Sequence, residues 1–453
     1  MSDSNDFDKV HGDYPHLVFL PSGIGNLTPF FQLAVTMASH NCKVTFINIQ
    51  PQAHAPELPR FSSFISNHPR IELLDFEIRS NTHPDSTISD PFIIHIEKMN
   101  SSLHLLNPIL SSLSVSAIFS DFAIATSLSK ISADLNIPHY IVSTTSAKFF
   151  SLVAYLPVLT GDDPNIFNDS TGEIEVRGLE PIPKSKIPPS WMDTSPSNYI
   201  LTNYLLPNAR SLSNVEGVLL NTFDWFEHET VAALKGSRAM NNLPPLFPIG
   251  PLKSYDPHKT HQVFSWLDQH KAKSVVYVDF GSREVMPTDQ TTELAKGLDI
   301  CGCNYLWANP HNIIIEGTKN KGKIIRGWVD QERVLGHPAI GGFVSQCEWG
   351  SVMQAAVNGV PILTWPHHGD QRMNAETVEK AGLGVLIRDW GWIGEKLVEG
   401  KEIGRVVKQI MEDLNVRKKA EIVRGKSGEA CEIGGSSENG IVEVIEMLMS
   451  EKK

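Results

Sequence analysis

The sequence predicts an α/β protein of two doubly wound, Rossmann-like domains that face one another across a cleft. Three observations support this fold class. The chain has 453 residues, and one hydrophobic core rarely grows beyond about 250–300 residues. Each half alternates short apolar runs with helical stretches, as parallel βαβ units do. Between the halves, the segment 246–258 contains prolines and a glycine that disfavour regular structure, and it predicts an interdomain linker.

Four apolar runs of strand length occur in the first half of the chain. Because they are almost continuously apolar, we expect strands that are buried on both faces of a parallel sheet. The stretch 157–197 is instead rich in Pro, Asp, Ser and Asn, which predicts loops and short helices of the kind that often carry specificity. The predicted elements are the strands His16–Pro21, Lys43–Asn48, Ala117–Ser120 and His139–Val142 and the helical stretches Leu27–Ser39 and 90–113.

The second half repeats the alternation. We therefore place a first domain at 1–245, a second at 259–435 and a C-terminal helix at 436–453. Open parallel sheets bind ligands at the carboxyl ends of their strands, so two facing domains let two substrates meet in one cleft. The predicted elements of this half are the strands Ser274–Phe280, Tyr305–Ala308, Lys323–Ile325, Gly342–Val344 and Pro361–Trp365 and the helices Ser351–Asn358 and Gln371–Gly382.

Composition excludes several classes of protein. The net charge is −12, which disfavours binding to nucleic acid or an anionic membrane surface. Five scattered cysteines argue against a disulfide framework, and the lone Cys301-x-Cys303 pair lacks the second half of a zinc site. The N-terminus is polar and no apolar run approaches 18 residues. We expect a monomeric, cytoplasmic protein that binds no metal.

Two glycine-rich turns follow predicted strands. Ser22-Gly-Ile-Gly-Asn26 separates a strand from a helix, and Phe280-Gly-Ser282 ends another strand. Each turn is compatible with a ligand-binding loop and equally with a tight structural turn. The first is an incomplete dinucleotide fingerprint because Thr28 occupies the third glycine position, which disfavours a nicotinamide-dependent enzyme.

The segment 328–371 carries the strongest chemical pattern. A tryptophan offers a flat face to a base, a helix that begins with Gly-Ser offers free N–H groups to a diphosphate, and an Asp-Gln pair offers hydrogen bonds to sugar hydroxyls. Each residue alone fits a buried Trp, a helix cap or a surface pair. At these spacings together they predict a nucleotide-sugar site. From base to hexose, the residues are Trp328, Gln331, Gly350, Ser351, Gln354, Asp370 and Gln371.

This segment resembles the signature segment of the plant family 1 UDP-dependent glycosyltransferases, from its leading W-x-x-Q to its closing W-P-x-x-x-D-Q, here Trp365–Gln371. The resemblance extends to the first turn, the Asp121 strand and the Gly250-Pro251 linker, so it spans nearly the whole chain. It implies the GT-B fold, with the C-terminal helix packed back on the first domain. It also implies inverting transfer from UDP-glucose as co-substrate, without a metal or another cofactor.

The resemblance also implies roles for single residues. Trp328, the Val329 backbone and Gln331 would hold the base, Gln354 the ribose, and Asp370 and Gln371 the sugar. Further donor-side residues would be Gly25, Ser282, Gln346, Trp349, Gly350 and Ser351, with the last two and Ser282 at the diphosphate. Our candidates for the wall of the acceptor pocket are Phe92, Ile94, Phe149, Phe150 and Ile200.

The sequence departs from the family pattern at three places. The run Gln346-Cys-Glu-Trp-Gly350 replaces H-C-G-W-N and resembles the flavonoid C-glucosyltransferase branch. Gln354 stands where the family has a ribose-binding Glu. Asn26 stands where the family has the His that acts as general base, beside an acid that Asp121 resembles. An amide accepts no proton, so the acceptor arrives ionised, Asp121 takes the proton, or the chain is an impaired variant.

We therefore predict an inverting glucosyltransferase that uses UDP-glucose and a small phenolic, flavonoid-type acceptor and forms a C-linked product. An ionised polyhydroxyphenol carries negative charge on ring carbons as well as on oxygen, which makes a C–C bond chemically reasonable. Two alternatives stay open. One is a flavonoid O-glucosyltransferase, and the other is a UDP-sugar-binding variant that Asn26 has impaired in catalysis.

Overall fold

Each half of the chain forms its own parallel β-sheet, which confirms the predicted fold class. The computed structural model describes residues 14–23, 27–50, 68–79, 91–161, 172–176, 179–188, 191, 200–236, 243–252, 262–281, 285–309, 322–327 and 329–450. In chain order the strands are β1 (His16–Leu20), β2 (Lys43–Gln50), β3 (Ile71–Glu77), β4 (Ala117–Asp121), β5 (His139–Ser143), β6 (Glu173–Ile174), β7 (Ile182–Pro183), β8 (Gly217–Leu220), β9 (Leu246–Pro248), β10 (Val275–Asp279), β11 (Asn304–Asn309), β12 (Gly322–Arg326), β13 (Ile340–Ser345), β14 (Ile362–Thr364) and β15 (Gly384–Leu386).

Helices connect most of these strands. The prediction of Leu27–Ser39 is confirmed to the residue, and the stretch predicted at 90–113 contains two α-helices. The α-helices are α1 (Leu27–Ser39), α2 (Pro91–Ser102), α3 (Asn107–Ser112), α4 (Ala125–Leu135), α5 (Ala147–Thr160), α6 (Leu206–Ser211), α7 (His228–Lys235), α8 (Gln262–Leu267), α9 (Thr288–Cys301), α10 (Gln331–Leu335), α11 (Trp349–Asn358), α12 (Gln371–Lys380), α13 (Gly400–Glu412), α14 (Leu414–Cys431) and α15 (Ser436–Ser450).

The order of the strands places a switch point in each sheet. Within the described residues, the first sheet has the order β3-β2-β1-β4-β5-β8-β9 and the second has the order β12-β11-β10-β13-β14-β15. All pairings in both sheets are parallel, and among the strands that the structure describes only the small β6–β7 pair is antiparallel. The direction of winding reverses between β1 and β4 and between β10 and β13. Ligands of doubly wound sheets bind at the carboxyl edge beside such points.

Both faces of each sheet are covered by helices, as the apolar strands predict. All five residues of β1 are buried. Its odd-numbered side chains, Leu17 and Phe19, pack in a cluster that includes α1, while Val18 and Leu20 pack in a cluster on the opposite face. A fully buried side chain of this kind contributes about 1.5–3 kcal/mol to stability.

The boundary between the domains lies later than predicted. Leu246–Pro248, assigned from its proline content to the linker, is strand β9 and pairs in parallel with β8 at the edge of the first sheet. Pro248 is the last residue of the strand, where a missing N–H costs no internal ladder bond. The first domain therefore includes at least residues 246–248, and residues 253–258 of the predicted linker lie outside the described part.

Helix α15 lies against the first domain, although it follows the second domain in sequence. Its residues Ile441, Val444 and Ile445 are buried in the same cluster as Leu17 and Phe19 of β1. In the part of the chain that the structure describes, no helix is long and apolar enough to cross a membrane.

Candidate active site

The carboxyl edges of the two sheets approach one another, and side chains from each domain reach the other there. The Thr145 hydroxyl, just after β5, donates a hydrogen bond to Oδ2 of Asp370, just before α12. The Trp349 indole at the start of α11 donates to the Asn221 carbonyl, which follows β8, over 2.7 Å. Residues that the sequence assigns to the donor thus adjoin the first domain.

Three predicted donor-side residues form one hydrogen-bonded group. The amide Nε2 of Gln331 donates to Oε1 of Gln354 over 2.7 Å and to Oγ of Ser351 over 2.9 Å. Gln331 is the first residue of α10, whose N-cap Asp330 accepts from the backbone N–H of Arg333. The residues assigned to base, diphosphate and ribose are therefore neighbours, although up to 23 positions separate them.

The start of α11 offers backbone N–H groups to an anion. Strand β13 ends at Ser345, and Cys347 turns the chain with φ +70° before the helix begins at Trp349. The first N–H groups of a helix lack intrahelical partners and lie at its positive dipole end. Ser351 stands in this first turn. At Gly350, no described atom lies within 4 Å of the place that a Cβ would occupy, so the approach is open.

Four predicted residues lie outside the described residues, namely Gly25, Asn26, Ser282 and Trp328. Val329, which follows Trp328, has a side chain only 5% exposed in the core of the second domain. The side chain is therefore a core group, which agrees with the prediction that only the Val329 backbone would contact a base.

The indole of Trp349 is a core group rather than a ligand-facing one. It is 1% exposed, lies 6.0 Å from the Phe226 ring, and has its N–H committed to Asn221. The prediction that the Trp349 side chain binds the donor is therefore wrong. The large apolar indole is buried between the two domains and contacts both of them. Only the backbone of Trp349 belongs to the start of α11.

Gln346 lies directly against the turn after β10. A Cβ added to Gly281 would stand 2.4 Å from Nε2 of Gln346, and Gly281 has φ +70°, so this turn accepts only glycine without rearrangement. The Gln346 side chain is 3% exposed, and its Oε1 has no hydrogen-bond partner among the described residues. A buried acceptor of this kind is normally paired, and it stands beside the predicted diphosphate turn.

Asp279 shapes the same turn and was not predicted from the sequence. Its Oδ1 accepts from the Gly281 N–H and its Oδ2 from the Tyr277 hydroxyl, both over 2.8 Å. Burial raises the pKa of Asp279, and the hydrogen bond from Gly281 opposes that rise. The carboxylate is thus committed to holding the backbone of the turn.

The Asp370–Gln371 pair is divided between two tasks. Asp370 is partly exposed and accepts the hydrogen bond from Thr145. Gln371 is 1% exposed, and its Oε1 accepts from the backbone N–H groups of His367 and His368 over 2.8 and 2.9 Å. The amide oxygen of Gln371 therefore closes the loop before α12 and supports the position of Asp370, and the predicted contact of Gln371 with the sugar stays a prediction.

Asp121 stands at the first switch point. It ends β4, is 9% exposed, and accepts from the Ala123 N–H over 2.7 Å. The register that pairs Leu20 with Ser120 brings it beside the turn that begins after β1. His95 of α2 was not predicted. Its Nε2 donates to the Ser22 carbonyl over 2.9 Å, and burial lowers its pKa, so the ring is neutral near pH 7.

The predicted acceptor residues separate into wall and core. Phe92, Ile94, Phe149 and Ile200 are partly exposed, and we call these four the acceptor wall. Phe150 is 2% exposed and packs in a different cluster, behind β5 and β8. Its place in the acceptor pocket is corrected, because adjacent residues of a helix project in different directions, and Phe149 takes the outer one.

Two aromatic neighbours of the acceptor wall were missed from the sequence: Tyr204 is partly exposed, and Trp191 is 3% exposed and packs in the core beside Phe149. The Trp191 ring lies 5.6 Å from Phe149, and the Tyr204 ring lies edge-on to Phe92 at 5.8 Å. Both come from the Pro- and Ser-rich region and its continuation, where no periodicity marks an element. The sequence indicated an acceptor contact only by their aromatic character, because aromatic side chains stack on aromatic ligands.

Two doubly wound domains that meet at the carboxyl edges of their sheets, with the predicted donor residues at that edge, fit a glycosyltransferase of the GT-B class. The family model for UDP-glucoronosyl and UDP-glucosyl transferase matches residues 239–415. UDP-glycosyltransferase 708G2 of Citrus unshiu is 38% identical and aligned over 98% of both chains, and UDP-glycosyltransferase CGT of Oryza sativa subsp. japonica is 35% identical over 95% of this chain and 96% of that protein. The chain belongs to the plant family 1 UDP-dependent glycosyltransferases, in their C-glucosyltransferase branch.

A solved structure supports the same assignment. LpCGTa in complex with UDP has a TM-score of 0.85 and 36% sequence identity, over 96% of this chain and 99% of that one. The protein is accordingly a transferase enzyme that uses a UDP-sugar donor and a small-molecule acceptor.

Proposed function

We propose that this enzyme transfers glucose from UDP-glucose to a ring carbon of a phenolic, flavonoid-type acceptor with inversion at the anomeric carbon. The observation that carries the proposal is the contact between Thr145 and Asp370. It brings the sugar-binding carboxylate to the edge of the domain that bears the acceptor wall. The two reacting centres would thus be held at one place, which is the main contribution of proximity to such a reaction.

The donor would lie along the second sheet. Gln331 and Gln354 would hold the base and ribose, and Ser351 with the N-terminal turn of α11 would hold the diphosphate. As the anomeric C–O bond breaks, the leaving UDP gains negative charge, which free N–H groups at a helix start stabilise. UDP-glucose serves as co-substrate, and the proposal calls for no further cofactor.

The acceptor supplies the electrons for the new bond. A ring carbon of an ionised polyhydroxyphenol attacks the anomeric carbon from the side opposite UDP. The C–C bond forms as the C–O bond to UDP breaks, and the ring carbon then loses its proton to restore aromaticity. Since Asn26 accepts no proton, ionisation rests on the acidity of the phenol itself, lowered by a conjugated carbonyl, or on Asp121 as proton acceptor.

The compartment and the oligomeric state belong to the same proposal. All five cysteines are described and free, which supports a reducing compartment such as the cytoplasm. We propose that the enzyme works there as a monomer, because the two domains that would hold donor and acceptor already meet within one chain through Thr145 and Asp370.

The test is incubation of the parent chain with UDP-glucose and a panel of phenolic ketones, followed by product mass and acid hydrolysis. An acid-stable hexoside from the parent is the expected product. An acid-labile one would indicate O-glucosylation instead. Asp121→Asn separates the two routes of proton removal, because the acidity of the phenol alone would leave kcat nearly unchanged in that variant.

Asn26→His provides the matched gain of function. Restoring a positioned base is expected to raise the rate by about 10²-fold or more on acceptors of ordinary acidity. If only this variant turns over while the parent binds UDP, the parent is a binding protein that has lost catalysis, and the proposed activity is rejected for this chain.

A further inference from the structure

One stripe of side chains on and just before α12 contacts the first domain at four places. The positions are three to four residues apart, which puts them on one face of a helix. They begin at the sugar-binding Asp370 and run to the end of the helix. The contacts are Asp370 with Thr145, Met373 with the apolar cluster around Trp191, Glu376 with Lys148 and Lys186, and Lys380 with Glu180 and Glu229.

Glu376 makes the most enclosed ionic contact of this stripe. Its Oε2 lies 3.1 Å from Nζ of Lys148 and its Oε1 lies 2.5 Å from Nζ of Lys186, so each oxygen receives one ammonium group. The side chains are 13%, 22% and 25% exposed, in the order Glu376, Lys148, Lys186. Charges enclosed to this degree are screened by salt much less than surface pairs.

The ion pair at the end of the same helix is different. Lys380 and Glu229 are 2.6 Å apart, but their side chains are 57% and 70% exposed. Exposed pairs of this kind contribute little. The helix therefore offers an internal comparison between an enclosed and an exposed contact with the same domain.

Lys148 is held firmly at its backbone. Its N–H and that of Ala147 donate to the two carboxyl oxygens of Glu227, over 3.0 and 2.9 Å. Glu227 is 5% exposed, and burial raises the pKa of its carboxyl group against these hydrogen bonds. Ser146 caps the same helix start by accepting from the Phe149 N–H. The beginning of α5 is thus a rigid base for the ammonium group that meets Glu376.

We propose that Glu376 is a positioning residue that determines which atom of the acceptor meets the anomeric carbon. Five consecutive residues, 145–149, carry Thr145 at the sugar side, Lys148 at the ionic contact and Phe149 in the acceptor wall. By holding Lys148, Glu376 holds this segment at one distance from Asp370. The proposal rests on the proposed function.

The chemistry makes this distance decisive. In an ionised phenol the reactive ring carbon and the neighbouring oxygen are adjacent nucleophiles, and each attacks only when it lies about 3–3.5 Å from its target. A shift of the acceptor wall by about 1 Å brings the oxygen instead of the ring carbon to the anomeric carbon, or brings neither atom within reach, with a rate loss of up to about 10²-fold. A loosened contact is therefore expected to change the product as well as the rate.

The experiment compares Glu376→Gln, which keeps the shape and removes the charge, with Lys380→Gln as the control on the same helix. For Glu376→Gln we expect kcat/KM for the acceptor to fall by about 10- to 10²-fold, the O-linked share of product to rise, and the Kd for UDP to stay within about twofold, since no contact to the cradle is lost. Lys380→Gln is expected to match the parent in all three.

Lys148→Gln and the double variant complete a cycle. If the two groups act through one contact, the double variant is no worse than either single one. An unchanged product ratio and kcat/KM in Glu376→Gln would overturn the proposal, and so would losses that merely follow a lower melting temperature. If the parent forms no glucoside, the proposed function fails separately. Urea unfolding of the same cycle, with UDP bound, then decides: coupled losses of stability in Glu376→Gln and Lys148→Gln support the contact, and additive losses refute it.

Discussion

At the scale of single residues, Gly350 leaves open space beside the predicted diphosphate site. Gly350 occupies the first turn of α11, and the place of its missing Cβ is open among the described residues. Its neighbour Ser351 is already paired with Gln331. The family that this chain belongs to carries Asn where Gly350 stands, so one polar side chain that could reach the diphosphate is lost here.

Gly350→Asn should therefore strengthen donor binding. The side chain fits the open space and adds one hydrogen bond to a charged group, which we expect to be worth about 1 kcal/mol at this partly exposed site. That corresponds to a Kd for UDP about fivefold lower, measured by calorimetry. Gly350→Ala is the control for the gain in helix propensity. Equal affinities of the Asn and Ala variants would contradict the expectation.

At the scale of elements, two helices near the C-terminus respond differently to the same change. Gly440 of α15 faces the Pro248 carbonyl of β9, and a Cβ there would stand 2.7 Å from that oxygen. Gly425 of α14 is exposed, with no described atom within 4 Å of its Cβ position. One glycine permits a close approach between elements, and the other is only a weak point in its own helix.

Gly440→Ala should lower the free energy of unfolding, while Gly425→Ala should raise it. Contact with a backbone oxygen forces α15 away from the first sheet, at a cost of about 1–3 kcal/mol. In α14 the same substitution removes the conformational entropy of glycine and gains about 0.5–1 kcal/mol. Urea unfolding gives the free energy of unfolding of both variants. Changes of the same sign would show that α15 does not pack closely against the Pro248 carbonyl.

At the scale of the whole molecule, stability depends on a polar group deep in the first sheet. His139 of β5 is 1% exposed and hydrogen-bonds to the Ser120 hydroxyl over 2.7 Å. Burial lowers its pKa from the ordinary 6.5 to about 3. Between these values the unfolded chain binds a proton that the folded chain does not. Stability is thus unaffected by this group above pH 6.5 and falls as the pH drops below it.

From this shift, acidification from pH 7 to pH 5 should cost about 2 kcal/mol of unfolding free energy through His139 alone. Carboxyl groups also change the free energy of unfolding in this pH range, so the effect of His139 is obtained as the difference between the parent and a variant. Denaturant unfolding of the parent and of His139→Gln across pH 5–8 isolates the term, because the variant lacks the titrating ring. Parallel pH profiles would mean that His139 is solvated or charged in the native state.

The sequence by itself determined the class of fold, and it predicted a set of donor-side residues whose roles stay predictions. Apolar runs such as 16–21 and 274–280 predict buried strands from their own residues alone. The donor-side group of Gln331, Ser351 and Gln354 is also predictable, because its members lie in one stretch of the chain. The sequence missed β3, β6, β7, β8, β9 and β15, because most of these strands are short and take their pairing from neighbours that are distant in sequence.

Only the tertiary structure decided what each side chain does. The side chains of Trp349 and Phe150 are buried in the core, and the amide oxygen of Gln371 bonds to its own loop. Glu376 lies between two lysines that are more than 180 positions away in the chain. Residue type states which contacts a side chain is able to make. Which of them it makes depends on the groups that folding places around it, and a linear pattern does not contain that information.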